Sequence, residues 1–563
     1  MSSILSFIQA RLRATLIIAV LVIGIYSYVS YNHAQQKALE TTLATGMPAA
    51  CDAAVAGLAQ NGRLVDVLIN TQNPDEDVSS PSNQRSLLIR KNAAASVNRL
   101  SAEGKITPAE AFDTLFLICK DANADVKASA ESGLTALGSK DAASLNAVVQ
   151  RLSNGDPDIR GAAVDVLGKI GGDKAASAVN AVLLSTASQD SAISALQKIG
   201  APSVPLVVAH LEDPASQTDI AFRQQMVGVL DQIAAPSSVP ELIKIAGQPS
   251  QPSVQRLAQV ALADTVLAAY NGVQTAKTAL TAAKDPAAKA SAQTALAKAS
   301  AVLPQVQSAE PALRGILSDT TAASESRSQA ALALGQSGSP AAIAALVSGL
   351  GDFDAQVRES SETGLQSSGP SAVGPLSAAL AAGDTAKRAG AAQALGGIGT
   401  PAALTALENV FHAPATPDAV REGAITGLGR SGSPSVIPTL VQALSDRDGT
   451  VSEAAQTGLL TPALAKPAIP VLVAALSQPT PAPFNAAETL SRMGALAESD
   501  VVPLLTRSIA AENAPTQTWA AVTLGEIGSK SAAALSALQS LSKSANPQVQ
   551  YAASQSLLKL AGG

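Results

Sequence analysis

The sequence predicts an all-α fold: a right-handed superhelical α-solenoid of stacked helix pairs, preceded by one N-terminal transmembrane helix. Three observations carry this. A phrase of about 32 residues recurs along most of the chain, and a period of that length is the signature of a repeat array. Aromatic residues are only 2% of the sequence while AVILMFWYC reach 47%, so burial must come from the small and medium side chains that suit close helix packing. Residues 14–31 form an uncharged, mostly apolar run near the N-terminus.

At 563 residues the chain exceeds what one globular core accommodates, which leaves several domains or an elongated array. The repeat phrase selects the array. It consists of a polar turn, a V/I-R or similar dipeptide, an Ala-rich stretch ending in Leu-Gly, a short Gly/Ser/Pro break and a second apolar run. Anchored on its leucine, it falls at Leu137, Leu167, Leu196, Leu230 and Leu262, then at Leu334, Leu365, Leu395, Leu428, Leu459, Leu490, Leu524 and Leu557. Successive anchors within each group lie 29 to 34 residues apart.

Each unit reads as two antiparallel helices. In the first, Ile159, Ala163, Val166, Leu167 and Ile170 fall at helical spacing, with Gly168 and Gly171 expected to end it. The second opens with proline in its first turn, where the missing N–H costs nothing, at Pro205, Pro240, Pro375, Pro438, Pro470 and Pro503. Neither helix buries its apolar stripe alone, so neighbouring pairs must stack.

The phrase D-x-x-V-R-x-x-A-x-x-x-L-G followed by P-x-L-x-x-x-L resembles the short HEAT-like repeat of the phycobilisome lyases, over residues 121–560. That resemblance implies the α-solenoid. It leaves activity open, because such repeats occur in lyases, hydroxylases, kinase regulators and pure scaffolds.

The chain divides by composition into a short N-terminus (1–13), a transmembrane anchor (14–31), a juxtamembrane stalk and N-terminal cap (32–120), HEAT-like repeats (121–262), an inserted helical hairpin (263–310) and further repeats (311–563). As a helix the anchor spans about 27 Å, close to a bilayer core. Arg11 and Arg13 precede it, and Tyr26, Tyr28 and Tyr31 cluster at its far end. By the positive-inside rule the N-terminus stays cytoplasmic and the repeats lie outside, which predicts a single-pass protein of a bacterial inner membrane with a periplasmic array. Two alternatives stay open: a secreted solenoid cleaved near residue 34, and a buried core helix.

Chemistry is sparse. A formal charge of -6 and a pI near 5.3 speak against nucleic acid, which demands a basic face. His33, His210 and His412 belong to no metal-binding pattern, and no cofactor or small-molecule substrate is expected. Gly427, Gly429 and Gly432 spell G-x-G-x-x-G without a preceding strand, and the calcium-loop-like DANAD at residues 121–125 lacks the turn glycine. Cys51 and Cys119 either form a disulfide or are two buried thiols. A charge ladder recurs at the start of the first helices: Asp156 with Arg160, Asp354 with Arg358 and Asp418 with Arg421. Lys127, Arg223, Arg327 and Arg388 are further members. It is expected to pair units and satisfy turn carbonyls rather than to form a basic binding surface.

These features predict a non-catalytic, membrane-tethered scaffold or assembly factor whose partners are proteins, bound by residues that the sequence does not identify. The resemblance implies a second reading, a chromophore lyase-like or chaperone-type enzyme.

Overall fold

The structure, a computed structural model, describes residues 34, 37–44, 46–60, 81–185, 189–478, 482–510 and 513–562. The regular elements among the described residues are all helices, without a strand. They divide into two units, Met1–Ser237 and Ser238–Gly563.

The first unit contains α1 (Pro48–Gln60), α2 (Pro81–Ala102), α3 (Pro108–Ile118), α4 (Ala124–Gly138), α5 (Ala142–Gln150), α6 (Pro157–Ile170), α7 (Gly172–Asn180), α8 (Gln189–Ile199), α9 (Val204–Glu212) and α10 (Ile220–Ile233). The second opens with α11 (Val239–Ala246), α12 (Pro252–Ala282), α13 (Pro286–Ala301), α14 (Leu303–Gln307) and α15 (Glu310–Ser318). The pairs α16 (Ser324–Ser337) and α17 (Pro340–Gly349), α18 (Ala355–Ser368) and α19 (Val373–Ala382), and α20 (Thr385–Ile398) and α21 (Pro401–His412) follow. Next come α22 (Asp418–Arg430) with α23 (Ile437–Ala443) and α24 (Gly449–Leu459) with α25 (Ala465–Ala475). The unit closes with α26 (Ala482–Ile509), α27 (Ala514–Ile527), α28 (Ala532–Leu541) and α29 (Pro547–Gly562).

Local chemistry starts these helices. Asn123, Asp156, Asp354 and Asp448 are N-caps whose side chains accept backbone N–H groups from the first turn. This satisfies donors that have no intrahelical partner. Each first helix then buries one stripe at i, i+4 and i+8. Val126, Ala130 and Leu134 form it in α4, Val357, Ser361 and Leu365 in α18, Val420, Ala424 and Leu428 in α22, and all are fully buried.

Within each unit the core is continuous because first helices pack on first helices. In the second unit α16 packs on α18, α18 on α20, α20 on α22 and α22 on α24. Glycine permits the closest approaches. A Cβ built at Gly335 would stand 2.3 Å from the Cα of Gly364, at Gly396 2.2 Å from that of Gly427, and at Gly429 2.6 Å from that of Gly458.

This changes the meaning of the Leu-Gly phrase. Gly168 does not end its helix: it lies buried inside α6, and a Cβ there would sit 3.1 Å from the Cα of Ala195 on α8. The termination falls to Gly171, whose φ of 72° suits a residue without Cβ. Two prolines also depart from expectation, since Pro470 lies inside α25 and Pro503 inside α26. Over 482–509 the chain continues as one helix of 28 residues rather than breaking into a pair.

The irregular segment after Leu262 is built from α12, 31 residues long, and a returning α13 whose N-cap Asp285 accepts the Ala288 N–H at 2.8 Å.

The predicted localisation requires correction. Among the described residues no helix is long and apolar enough to cross a membrane, which overturns the single-pass inner-membrane placement with a periplasmic array. Even α12, about 46 Å long at 1.5 Å per residue, carries Arg256, Asp264 and Lys277, so its apolar residues form a stripe against neighbouring helices rather than a full apolar jacket. The run at 14–31 on which the expectation rested lies outside the described residues, as does His33.

Candidate interaction surface

The turns between pairs are held by a repeated donor. The fourth residue of most first helices points back and donates to a carbonyl left free by the preceding turn or second helix. Arg160 Nη1 reaches the carbonyls of Asn154 and Gly155 at 2.8 and 3.0 Å, and Arg358 Nη1 those of Asp352 and Phe353 at 2.8 and 3.1 Å. Arg388 Nε reaches Leu380 O at 2.8 Å, and Gln255 Nε2 reaches Ala246 O at 3.1 Å.

A second arrangement joins one repeat to the next. Arg90, Arg327 and Arg421 are buried and pair with Asp121, Asp352 and Asp446 at 2.5, 3.3 and 2.7 Å. Each of these aspartates also accepts the backbone N–H two residues on, at Asn123, Asp354 and Asp448, and those residues cap the next first helix. The arginine therefore orients the turn that starts its neighbour.

The predicted ladder residues divide accordingly. Asp418 and Arg421 meet at 2.8 Å. Arg160 and Arg358 bond carbonyls, while Asp156 caps α6 and pairs with Lys120 at 2.6 Å, and Asp354 caps α18. The inter-repeat partners Asp121, Asp352 and Asp446 were missed, although the recurring D-x-N/D spacing signals them.

Cys51 and Cys119 are both buried, free thiols. Burial pushes the Cys119 pKa up to about 12 and raises that of Cys51. His210 Nε2 lies 2.9 Å from Asn180 Oδ1 and edge-on to Phe222, and burial lowers its pKa. Among the described residues no group of three or more His, Cys, Asp or Glu is placed to hold a metal.

The exposed face of the first helices in the second unit carries two adjoining clefts. One, of 480 Å³, has α18 as a wall, with Glu359, Glu362 and Gln366, and a floor of Ala386, Ala389 and Gly390 from α20. The other, of 450 Å³, lies between α22 and α24. Arg430 lines both. Its Nη1 donates to Glu362 Oε1 at 2.8 Å, reaching across the small residues of α20 to a residue 68 positions earlier. Burial raises the Glu362 pKa, opposed by Arg430 and by the Gln366 amide at 3.0 Å.

Stacked helix pairs, with the turn at most steps held by a side-chain donor, define an α-solenoid of HEAT type. The HEAT repeats family model matches residues 112–197, 273–366 and 412–491, and the model of the PBS lyase HEAT-like repeat matches residues 387–412. The matches support a HEAT-like repeat family for this chain. No curated protein matches the sequence. Among solved structures the chain is similar to Kap121p, at 11% identity and a TM-score of 0.42, covering 94% of this chain and 57% of that one. Importin beta is similar at 11% identity and a TM-score of 0.30, covering 93% and 82%. Kap95 in its complex with Nup1 is similar at 14% identity and a TM-score of 0.33, covering 93% and 77%. The chain thus spans little more than half the length of Kap121p.

Proposed function

We propose that this protein is a non-catalytic scaffold or assembly factor that binds other proteins through the exposed face of its first helices. The observation that carries the reading is the pair of adjoining clefts on that face, lined by polar side chains from successive repeats. Such a surface grows with each repeat and suits an extended partner rather than a compact small molecule. The buried arginines hold turns, and the two thiols lie in the core.

The test is cross-linking with mass spectrometry on the tagged full chain in its native cells. A defined partner cross-linked near the clefts is expected; the recovery of none would sink the proposal. The match of the PBS lyase repeat over residues 387–412 favours a second reading, a chromophore lyase-like enzyme. Incubation with a bilin and an apo-protein separates the two, since covalent attachment would replace the scaffold reading.

A further inference from the structure

Three first helices of the second unit carry the same pair of residues in the same register. Glu359 and Thr363 stand on α18, Glu422 and Thr426 on α22, and Glu453 and Thr457 on α24. All six line the two clefts. Each glutamate directly follows the residue that locks its helix to a preceding carbonyl: Arg358 to Asp352 O, Arg421 to Thr416 O and Ser452 to Leu444 O. That lock fixes the glutamate's height on the helix in all three repeats.

Solvated glutamates on a helix are ordinary, and among the described residues Asp190 and Glu325 on other first helices also lack an ion pair; what sets these three apart is their shared register along adjoining clefts. Three acids at other register positions of first helices are met by a lysine from the following repeat. Lys169 meets Glu131 at 2.6 Å, Lys198 meets Asp165 at 3.8 Å, and Lys559 meets Glu526 at 2.6 Å. Along the clefts this stops. Among the described residues Glu359, Glu422 and Glu453 have no ion pair, and Arg430, the guanidinium common to both clefts, is engaged by Glu362. The helix between them, α20, has Ala389 in the glutamate's place and Gln393 in the threonine's, which leaves the floor open.

We infer that these clefts form one binding groove for an extended, basic peptide segment of a protein partner, whose arginine or lysine side chains meet Glu359, Glu422 and Glu453. Packed helices stand about 10 Å apart, and an extended chain advances about 3.4 Å per residue. One helix step therefore corresponds to about three peptide residues. Glu359 and Glu422 are two steps apart and Glu422 and Glu453 one step, so the groove selects cations spaced six and then three residues apart. Guanidinium groups suit it best, because they bind carboxylates in a bidentate fork. Of the threonine hydroxyls, one helical turn further on, that of Thr363 donates to the Glu359 carbonyl at 3.0 Å and is left to accept from a peptide N–H, while those of Thr426 and Thr457 stand at the equivalent place on their helices. A polyanion is repelled by the same three carboxylates.

The inference rests on the scaffold reading and narrows it to one partner chemistry. Its test is fluorescence anisotropy on the purified full chain with labelled Gly/Ser decapeptides. Two peptides carry arginine at positions 1, 7 and 10 or at 1, 4 and 10, covering both chain directions. A third of the same composition carries it at 1, 2 and 3. One spaced peptide is expected to bind about tenfold tighter than the clustered one. Glu422→Gln combined with Glu453→Gln should erase that preference at unchanged thermal stability, and Asp173→Asn, in the other unit, should keep it. Equal binding of spaced and clustered peptides, or an unaltered preference in the double variant, overturns the inference. If partners still cross-link to a chain without peptide preference, the groove is wrong and the scaffold stands. A preference with no cross-linked partner supports the groove and sinks the scaffold.

Discussion

Arg421 and Asp446 meet at 2.7 Å with side chains 7% and 10% exposed, and their bond ties the opening of α22 to the turn that starts α24. A buried pair repays its desolvation only while both members are present. Arg421→Ala leaves Asp446 without its cation and removes the donor to Thr416 O, so it should cost about 3–5 kcal/mol. The loss should appear as faster amide hydrogen exchange in α22 and α24, because repeat arrays open locally rather than all at once. Unchanged protection there would show that the pair does not hold the turn.

Glycines of the first helices separate into two kinds, with opposite predicted effects. Gly396→Ala would place a methyl 2.2 Å from the Cα and O of Gly427, backbone atoms that cannot swing aside. A loss of about 1–3 kcal/mol follows from overpacking. Gly161, inside α6, has nothing within 4 Å of a built Cβ, so Gly161→Ala should gain about 0.5–1 kcal/mol from helix propensity. Thermal melts of the two variants should move in opposite directions, and a common direction would contradict this packing.

Most of the fold was legible because a helix pair advertises itself locally, through an aspartate cap, an apolar stripe and a break. What the leucines could not show is register. The first anchor was placed at Leu137, but Val126, Ala130 and Leu134 are the stripe equivalent to Ile159, Ala163 and Leu167, so Leu134 is the matching residue. Both leucines lie in α4 one turn apart, and only the N-cap Asn123, aligned with Asp156, fixes the choice. Gly168 looked like a terminator because helix ends and close helix contacts both call for glycine. The contact between Glu362 and Arg430 was invisible for a different reason: it skips a repeat and exists only because Ala386, Ala389 and Gly390 leave the space between them empty.

An acid-sensitive contact lies in the first unit. Arg99 donates to Asp52 through Nε at 3.1 Å to both carboxylate oxygens and through Nη2 at 2.6 Å, and these bonds hold the Asp52 pKa below the usual carboxylate range. A depressed folded pKa contributes stability that is present above the unfolded value, near 3.9, and is lost as pH falls through the folded one. Asp52→Asn should therefore destabilise the packing of α1 on α2 at neutral pH and flatten its acid-side loss. Stability curves of the two proteins should converge as pH falls below the carboxylate range. A constant gap down to the acid limit would mean that Asp52 acts by packing alone.

The two thiols give the last prediction. Cys119 sits at the end of α3, 3% exposed, with its pKa pushed up to about 12, so at pH 8 almost none of it is thiolate, the reactive species. Cys51, 1% exposed on α1, is shielded by the core and its pKa is raised in the same direction. Iodoacetamide should leave both unmodified in the native protein and label both in denaturant without prior reduction, since each is a free thiol. Labelling that appears only after reduction would establish a bridge between Cys51 and Cys119. Prompt labelling of the native chain would instead place at least one thiol at the surface and contradict the packing of α1 and α3.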